Sequence, residues 1–126
     1  MRKIEMIIEK TETGYCAYAH KYAVYTVGGS LPELKKNILE ALNLYFEESG
    51  KKIAEQDLKI TLDLPQFFEF YKVINAKAFG ERIGMSQSLL AQYIKGIKKP
   101  SAAQTQKILQ GVQQVGKELA EMQFLL

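Results

Sequence analysis

Apolar and polar positions alternate weakly at the start of the chain, around Ile4, Met6 and Ile8, which predicts a strand ending at the turn signal Thr11-Glu12-Thr13-Gly14. A second strand follows, with Tyr15, Ala17 and Ala19 on one side and Cys16, Tyr18 and His20 on the other. Residues 22–27 are again rich in aromatic and β-branched types, giving a third strand. Gly28-Gly29 closes that run. Ser30 then suits an N-cap, Pro32 and Glu33 suit a first turn, and Leu34, Ile38, Leu42 and Tyr45 recur at helical spacing, so a helix is expected over residues 31–48. After a break at Gly50-Lys51-Lys52, Leu58, Ile60, Leu62 and Leu64 alternate with Lys59, Thr61 and Asp63, as in a fourth strand with one buried face. The order β-β-β-α-β implies a sheet with one helix packed across it, a small α+β domain over residues 1–64.

Beyond that point the period becomes helical, and residues 65–126 are expected to form a second, all-α domain. Its clearest stretch is AKAFGERIGMSQSLLAQYIK, residues 76–95, which reads as helix, turn and helix. Phe79 and Ile83 share one face of the first helix, and Leu90, Tyr93 and Ile94 recur on the second. Gly80 is small enough for a close crossing, Gly84 suits a left-handed C-terminal position, and Ser86 suits an N-cap. Gln87, Ser88, Ala91, Gln92 and Lys95 are left as a polar stripe. Glutamine can bond the major-groove edge of adenine with two hydrogen bonds, and serine can bond several bases, so the stripe suits DNA reading. Gly96-Ile97-Lys98-Lys99-Pro100 ends the helix and puts two lysines where a DNA backbone would run.

The aromatic cluster Phe67-Phe68-Glu69-Phe70-Tyr71 carries more aromatics than one helix face can bury; it could seal the junction between the domains, pack on a second copy, or complete the helix-turn-helix core as its first helix, the last being the expectation for Phe67 or Phe68 and Tyr71. Ser101 caps a long helix whose apolar positions Ile108, Leu109, Val112, Val115, Leu119 and Met122 run on past the needs of one small domain. Its distal part, with Val115, Leu119, Met122, Phe124, Leu125 and Leu126, is the expected dimerisation surface; fraying of an unpacked tail is the rival account.

Composition narrows the function classes. A hydrophobic fraction of 47% in 126 residues is enough to bury a core, and no apolar run approaches a membrane span. The charged, alternating start MRKIEMIIEK does not read as a signal peptide, so the expected location is cytoplasmic. Cys16 is the only cysteine and His20 the only histidine, so neither a disulfide nor a metal or other cofactor is expected. His20 has no nearby acid or nucleophile to serve as a general base, and Glu5, Glu9 and the turn residue Glu12 do not make a convincing metal set. No catalysis is expected. The net charge of +3 is uneven: residues 1–64 carry nine Lys or Arg against ten Asp or Glu, whereas residues 65–126 carry eight against four. Only the second half is biased toward a polyanion.

The run from Phe79 to Pro100, with Gly84, Ser86, Gln87, Gln92, Gly96 and Pro100 in register, resembles the Cro/C1-type repressor family. That resemblance implies base contacts by Gln87, Ser88 and Gln92; Asn75, Lys77, Ser86, Lys95, Lys98 and Lys99 are expected on the DNA backbone. One position departs from it: Ala76 stands where these repressors often carry a polar phosphate-binding residue, and Asn75 is the expected substitute, as an N-cap that leaves the helix N-terminus open to phosphate. The strand pair around Gly14-Tyr15, the strand ending near Gly28-Gly29-Ser30, and the helix beginning Ser30-Leu31-Pro32-Glu33-Leu34 and carrying Ala41-Leu42-Tyr45 resemble the HicB family of bacterial antitoxins. This second resemblance implies a degenerate ribonuclease-H-like domain that caps a small mRNA-cleaving, HicA-like toxin, joined to a dimeric repressor of the shared operon. Two other classes of answer stay open, a protein adaptor without DNA binding and a small metal-dependent nuclease of ribonuclease-H-like fold.

Overall fold

The computed structural model describes residues 3–125 and divides into two compact units, 1–70 and 71–126. Leu126, expected at the dimer surface, lies outside the described residues. The architecture is mixed α+β, a four-stranded sheet followed by helices.

In the first unit, strands β1 (Ile4–Thr11), β2 (Gly14–Ala19) and β3 (Tyr25–Gly28) precede helix α1 (Leu31–Tyr45), strand β4 (Leu58–Leu62) and helix α2 (Leu64–Phe70). The sheet order is β3-β2-β1-β4, antiparallel except for the parallel pair β1 and β4. Alternation works as the pleat requires: Ile4, Met6, Ile8, Ala17 and Ala19 point to one face, where Leu34, Ile38 and Leu42 of α1 bury against them. Ser30 caps α1 by accepting from the Glu33 N–H at 3.3 Å, while the Glu33 carboxylate accepts from the Gly29 N–H at 3.2 Å. The helix meets the end of β3 so closely that a side chain on Gly28 would sit 2.6 Å from the Leu34 nitrogen.

Several boundaries differ from the sequence expectation. Strand β3 begins only at Tyr25, because the backbone bends through residues 20–23. Helix α1 ends at Tyr45, with Phe46 as its C-cap and a 3-10 turn after it. Leu64, expected as the last inward position of the fourth strand, instead opens α2 and is buried there. The aromatic cluster is likewise reassigned. Phe67 and Phe68 lie on α2 within the first unit and Tyr71 begins the second, so they do not form a helix of the helix-turn-helix core together. The division thus falls six residues beyond Leu64. The cause is Gln66, whose carboxamide accepts from the Lys10 N–H at 2.9 Å and donates to the Lys10 carbonyl at 2.7 Å, holding α2 to β1.

In the second unit, α3 (Ala76–Ile83), α4 (Gln87–Ile94) and α5 (Ala102–Ala120) surround Phe79, Met85, Leu90, Tyr93 and Ile108. A side-chain oxygen caps each helix: Asn75 accepts from Ala78, Ser86 from Leu89 and Ser101 from Gln104, at 3.0–3.2 Å. Gly84, at φ +72°, ends α3, and only Met85 and Ser86 separate it from α4. Helix α5 crosses α3 at Gly111, where a Cβ would meet Ile83 Cγ2 at 2.4 Å and Phe79 Cζ at 3.0 Å. Gly116, one and a half turns on, faces open space.

These two glycines give opposite expectations. Gly111→Ala should destabilise the helical unit by about 1–3 kcal/mol through overpacking, whereas Gly116→Ala should stabilise it by up to about 1 kcal/mol through helix propensity. Urea denaturation followed by circular dichroism distinguishes them by the sign of the midpoint shift.

Candidate functional site

Two surfaces emerge, one on each unit. On the second, the Ser86 cap orients the start of α4 so that Gln87 and Ser88 are exposed. Helix α4 stops at Ile94. Lys95 is its C-cap, Gly96 takes φ +74°, and the Ile97 N–H returns to the Gln92 carbonyl at 3.0 Å. This closure leaves Lys95, Lys98 and Lys99 exposed around the end of the helix, while Asn75 and Lys77 are exposed at the start of α3. The polar stripe is therefore uneven: Ala91 and Gln92, expected fully outside, are half-buried. Gln92 presents less of its side chain than Gln87 does.

The far end of α5 has a different character. Val115 is half-buried, Leu119 is 67% exposed and Phe124 is 80% exposed, the latter on a 3-10 turn, Glu121–Leu125, that also carries Met122. An open groove of about 610 Å³ runs between α3 and α5, with Val73, Ile74, Ala78, Val115 and Leu119 among its lining. At its rim Arg82 pairs with Glu118, and that guanidinium holds the Glu118 carboxyl below its ordinary value.

On the first unit, α1 covers one face of the sheet and the opposite face carries the side chains of the other parity. Register arranges them in rows. Val27, Cys16, Glu9 and Asp63 lie across one row, and Tyr25, Tyr18, Ile7 and Thr61 across the next. Cys16 is buried, as expected of a small hydrophobe within a strand. The Tyr18 hydroxyl donates to Glu9 at 3.1 Å, and the Thr61 hydroxyl donates to Glu5 at 2.9 Å. Loss of water around Glu9 pushes its carboxyl above the ordinary value; the Tyr18 hydrogen bond opposes this and the adjacent Asp63 carboxyl adds to it. Asp63 is the residue the sequence reading did not join to this face. It lies far along the chain from Glu9, and only the parallel pairing of β4 with β1 brings the two together. Strict alternation around Asp63 was the available signal, but it does not name the partner strand. Glu12 is exposed in the β1–β2 turn. Among the described residues no group of three or more His, Cys, Asp or Glu is placed to hold a metal ion. Also among them, no helix is long and apolar enough to cross a membrane.

A mixed sheet covered on one face, followed by a separate helical unit with a capped helix–turn–helix path, defines a two-unit α+β protein. Over 45 residues the chain is 40% identical to a UPF0150 protein of Archaeoglobus fulgidus, an alignment that takes in 36% of this chain and 68% of that protein. The chain belongs to the UPF0150 family. No protein-family model matches it. No solved structure matches it either.

The raised Glu9 carboxyl has a signed consequence for stability. The folded state binds the proton more tightly than the unfolded chain, so this contribution is fully present below the ordinary carboxylate pKa and is lost as pH rises through the folded value. Glu9→Gln, whose carbonyl still accepts from Tyr18, should therefore raise the melting temperature at pH 7, and the gain should vanish as the pH falls below the carboxylate range. Melting curves from pH 3 to pH 8 read this directly.

Proposed function

We propose that this protein is a HicB-like antitoxin that represses its own operon. The first unit would neutralise a small mRNA-cleaving toxin, and the second would bind operator DNA as a dimer. Family membership supports the first half, since the UPF0150 family is associated with HicB-like toxin–antitoxin proteins. The relative, about half as long as this chain, supports nothing about operator binding. That half rests on one observation: α4 begins at a side-chain cap with Gln87 and Ser88 exposed and ends in a glycine closure ringed by Lys95, Lys98 and Lys99.

In this reading Gln87, Ser88 and Gln92 contact base edges, while Asn75, Lys77, Ser86, Lys95, Lys98 and Lys99 position the unit on the phosphates. The residual exposure of Gln92 makes Gln87 the stronger reader. Val115, Leu119, Met122 and Phe124 pair two copies, which sets two recognition helices roughly 34 Å apart, one turn of DNA. A protein-only adaptor is the second reading. The apolar end of α5 favours it, because exposed large hydrophobic side chains clustered together mark a protein contact with or without DNA.

Fluorescence anisotropy on DNA from the protein's own upstream region, against a random duplex and across a salt series, separates the readings. Specific binding that weakens with salt supports the repressor; the absence of salt-sensitive binding to either duplex supports the adaptor. Gln87→Ala with Gln92→Ala should lose about 1–3 kcal/mol per contact on the operator alone, whereas Lys98→Ala should weaken both duplexes alike. Leu119→Glu should shift the protein to monomer in analytical ultracentrifugation and reduce operator affinity with no change in the fold.

A further inference from the structure

The sheet face opposite α1 has a composition that folding does not require. Tyr25 is 65% exposed and Val27 54% exposed, both large and apolar, and the half-buried Tyr18 and Ile7 continue the same surface. On the β1–β4 side of them Glu9 and Asp63 are neighbours in the strand register. Among the described residues neither carboxylate has a lysine or arginine partner, and the groups acting on Glu9 are Tyr18 and Asp63. Asp63 is further fixed by accepting from the Gln66 N–H at 3.1 Å, so the pair is held in place by the start of α2.

We infer that this face docks a partner polypeptide through an arginine seated on the Glu9–Asp63 pair, with apolar residues of the same segment lying over Tyr18, Tyr25 and Val27 on the β2–β3 side of that pair. The chemistry selects that occupant. Two adjacent carboxylates repel nucleic-acid phosphate, and a cation between them removes their mutual repulsion. A guanidinium matches carboxylates with a planar fork of donors and also stacks on tyrosine faces, which an ammonium does less well. The exposed aromatic and β-branched neighbours supply the apolar area that turns an ion contact into a specific one. This assignment rests on the sheet face alone and holds for a toxin or for any other protein partner.

The test titrates the ¹⁵N-labelled full chain with acetyl-Leu-Arg-Leu-amide and with its neutral citrulline counterpart, following backbone amide shifts. The arginine peptide should move the amides of Tyr18, Tyr25, Val27 and Asp63 and bind roughly tenfold more tightly than the citrulline peptide, as expected for a charge-assisted hydrogen bond. Glu9→Gln with Asp63→Asn keeps the hydrogen bonds to Tyr18 and Gln66 and should abolish that difference. Equal binding of the two peptides, or shifts confined to other surfaces, would overturn the proposal. Concentration-dependent shifts of the same amides without peptide would also overturn it, by showing that a second copy covers the face. Failure of operator binding leaves this result untouched, and failure here leaves the repressor reading standing.

Discussion

Strand β1 is hydrogen-bonded along both edges, antiparallel to β2 and parallel to β4, and most of the first unit depends on that double pairing. The parallel edge needs a long crossover, which α1 provides, and a crossover helix must lie over one face of the sheet. One helix covers one face only. Near the end of the ladder, the Asp63 N–H still reaches the Ile8 carbonyl, and the Gln66 carboxamide takes over at Lys10 where no strand residue remains. A side-chain amide thus stands in for a peptide group. The result satisfies this edge of β1 as far as Lys10 and fixes where α2 begins.

The helical unit follows a different constraint. Two eight-residue helices and α5 bury only a few large side chains each, so close approach replaces bulk at the crossings. Gly111 lets α5 come down onto Ile83 and Phe79, and Gly80 lets α4 approach through Leu90. The caps at Asn75, Ser86 and Ser101 each satisfy a helix start that packing leaves exposed to solvent. The direction of α4, and so the set of its residues that face outward, follows from these few contacts.

Much of this was legible in the sequence, for identifiable reasons. Alternation around Ile4, Met6 and Ile8, the cap at Ser30 and the spacing of Leu34, Ile38 and Leu42 are local signals, and the β-β-β-α-β order appears as they predict. Gly84 and Ser86 bound their turn where expected because a left-handed glycine and a side-chain cap act within three residues. What could not be read was long-range. Phe67 and Phe68 look like part of the helix that follows them until Gln66 ties their segment to Lys10. Asp63 looks like one polar residue in an alternating strand until parallel pairing places it beside Glu9. The half-burial of Gln92 depends on tertiary packing that helical spacing alone cannot express.

The one-sided sheet divides labour by residue parity. In β1 the even positions Ile4, Met6 and Ile8 are committed to the core, and the odd positions Glu5, Ile7 and Glu9 are not. A substitution at an odd position changes the outward surface with little effect on the hydrophobic core, and a substitution at an even position does the reverse. Relatives that keep the inward set can therefore exchange partners by drifting at alternate residues of the same strands. Divergence in such a family should show a period of two along β1 and β2, with constant and variable positions interleaved.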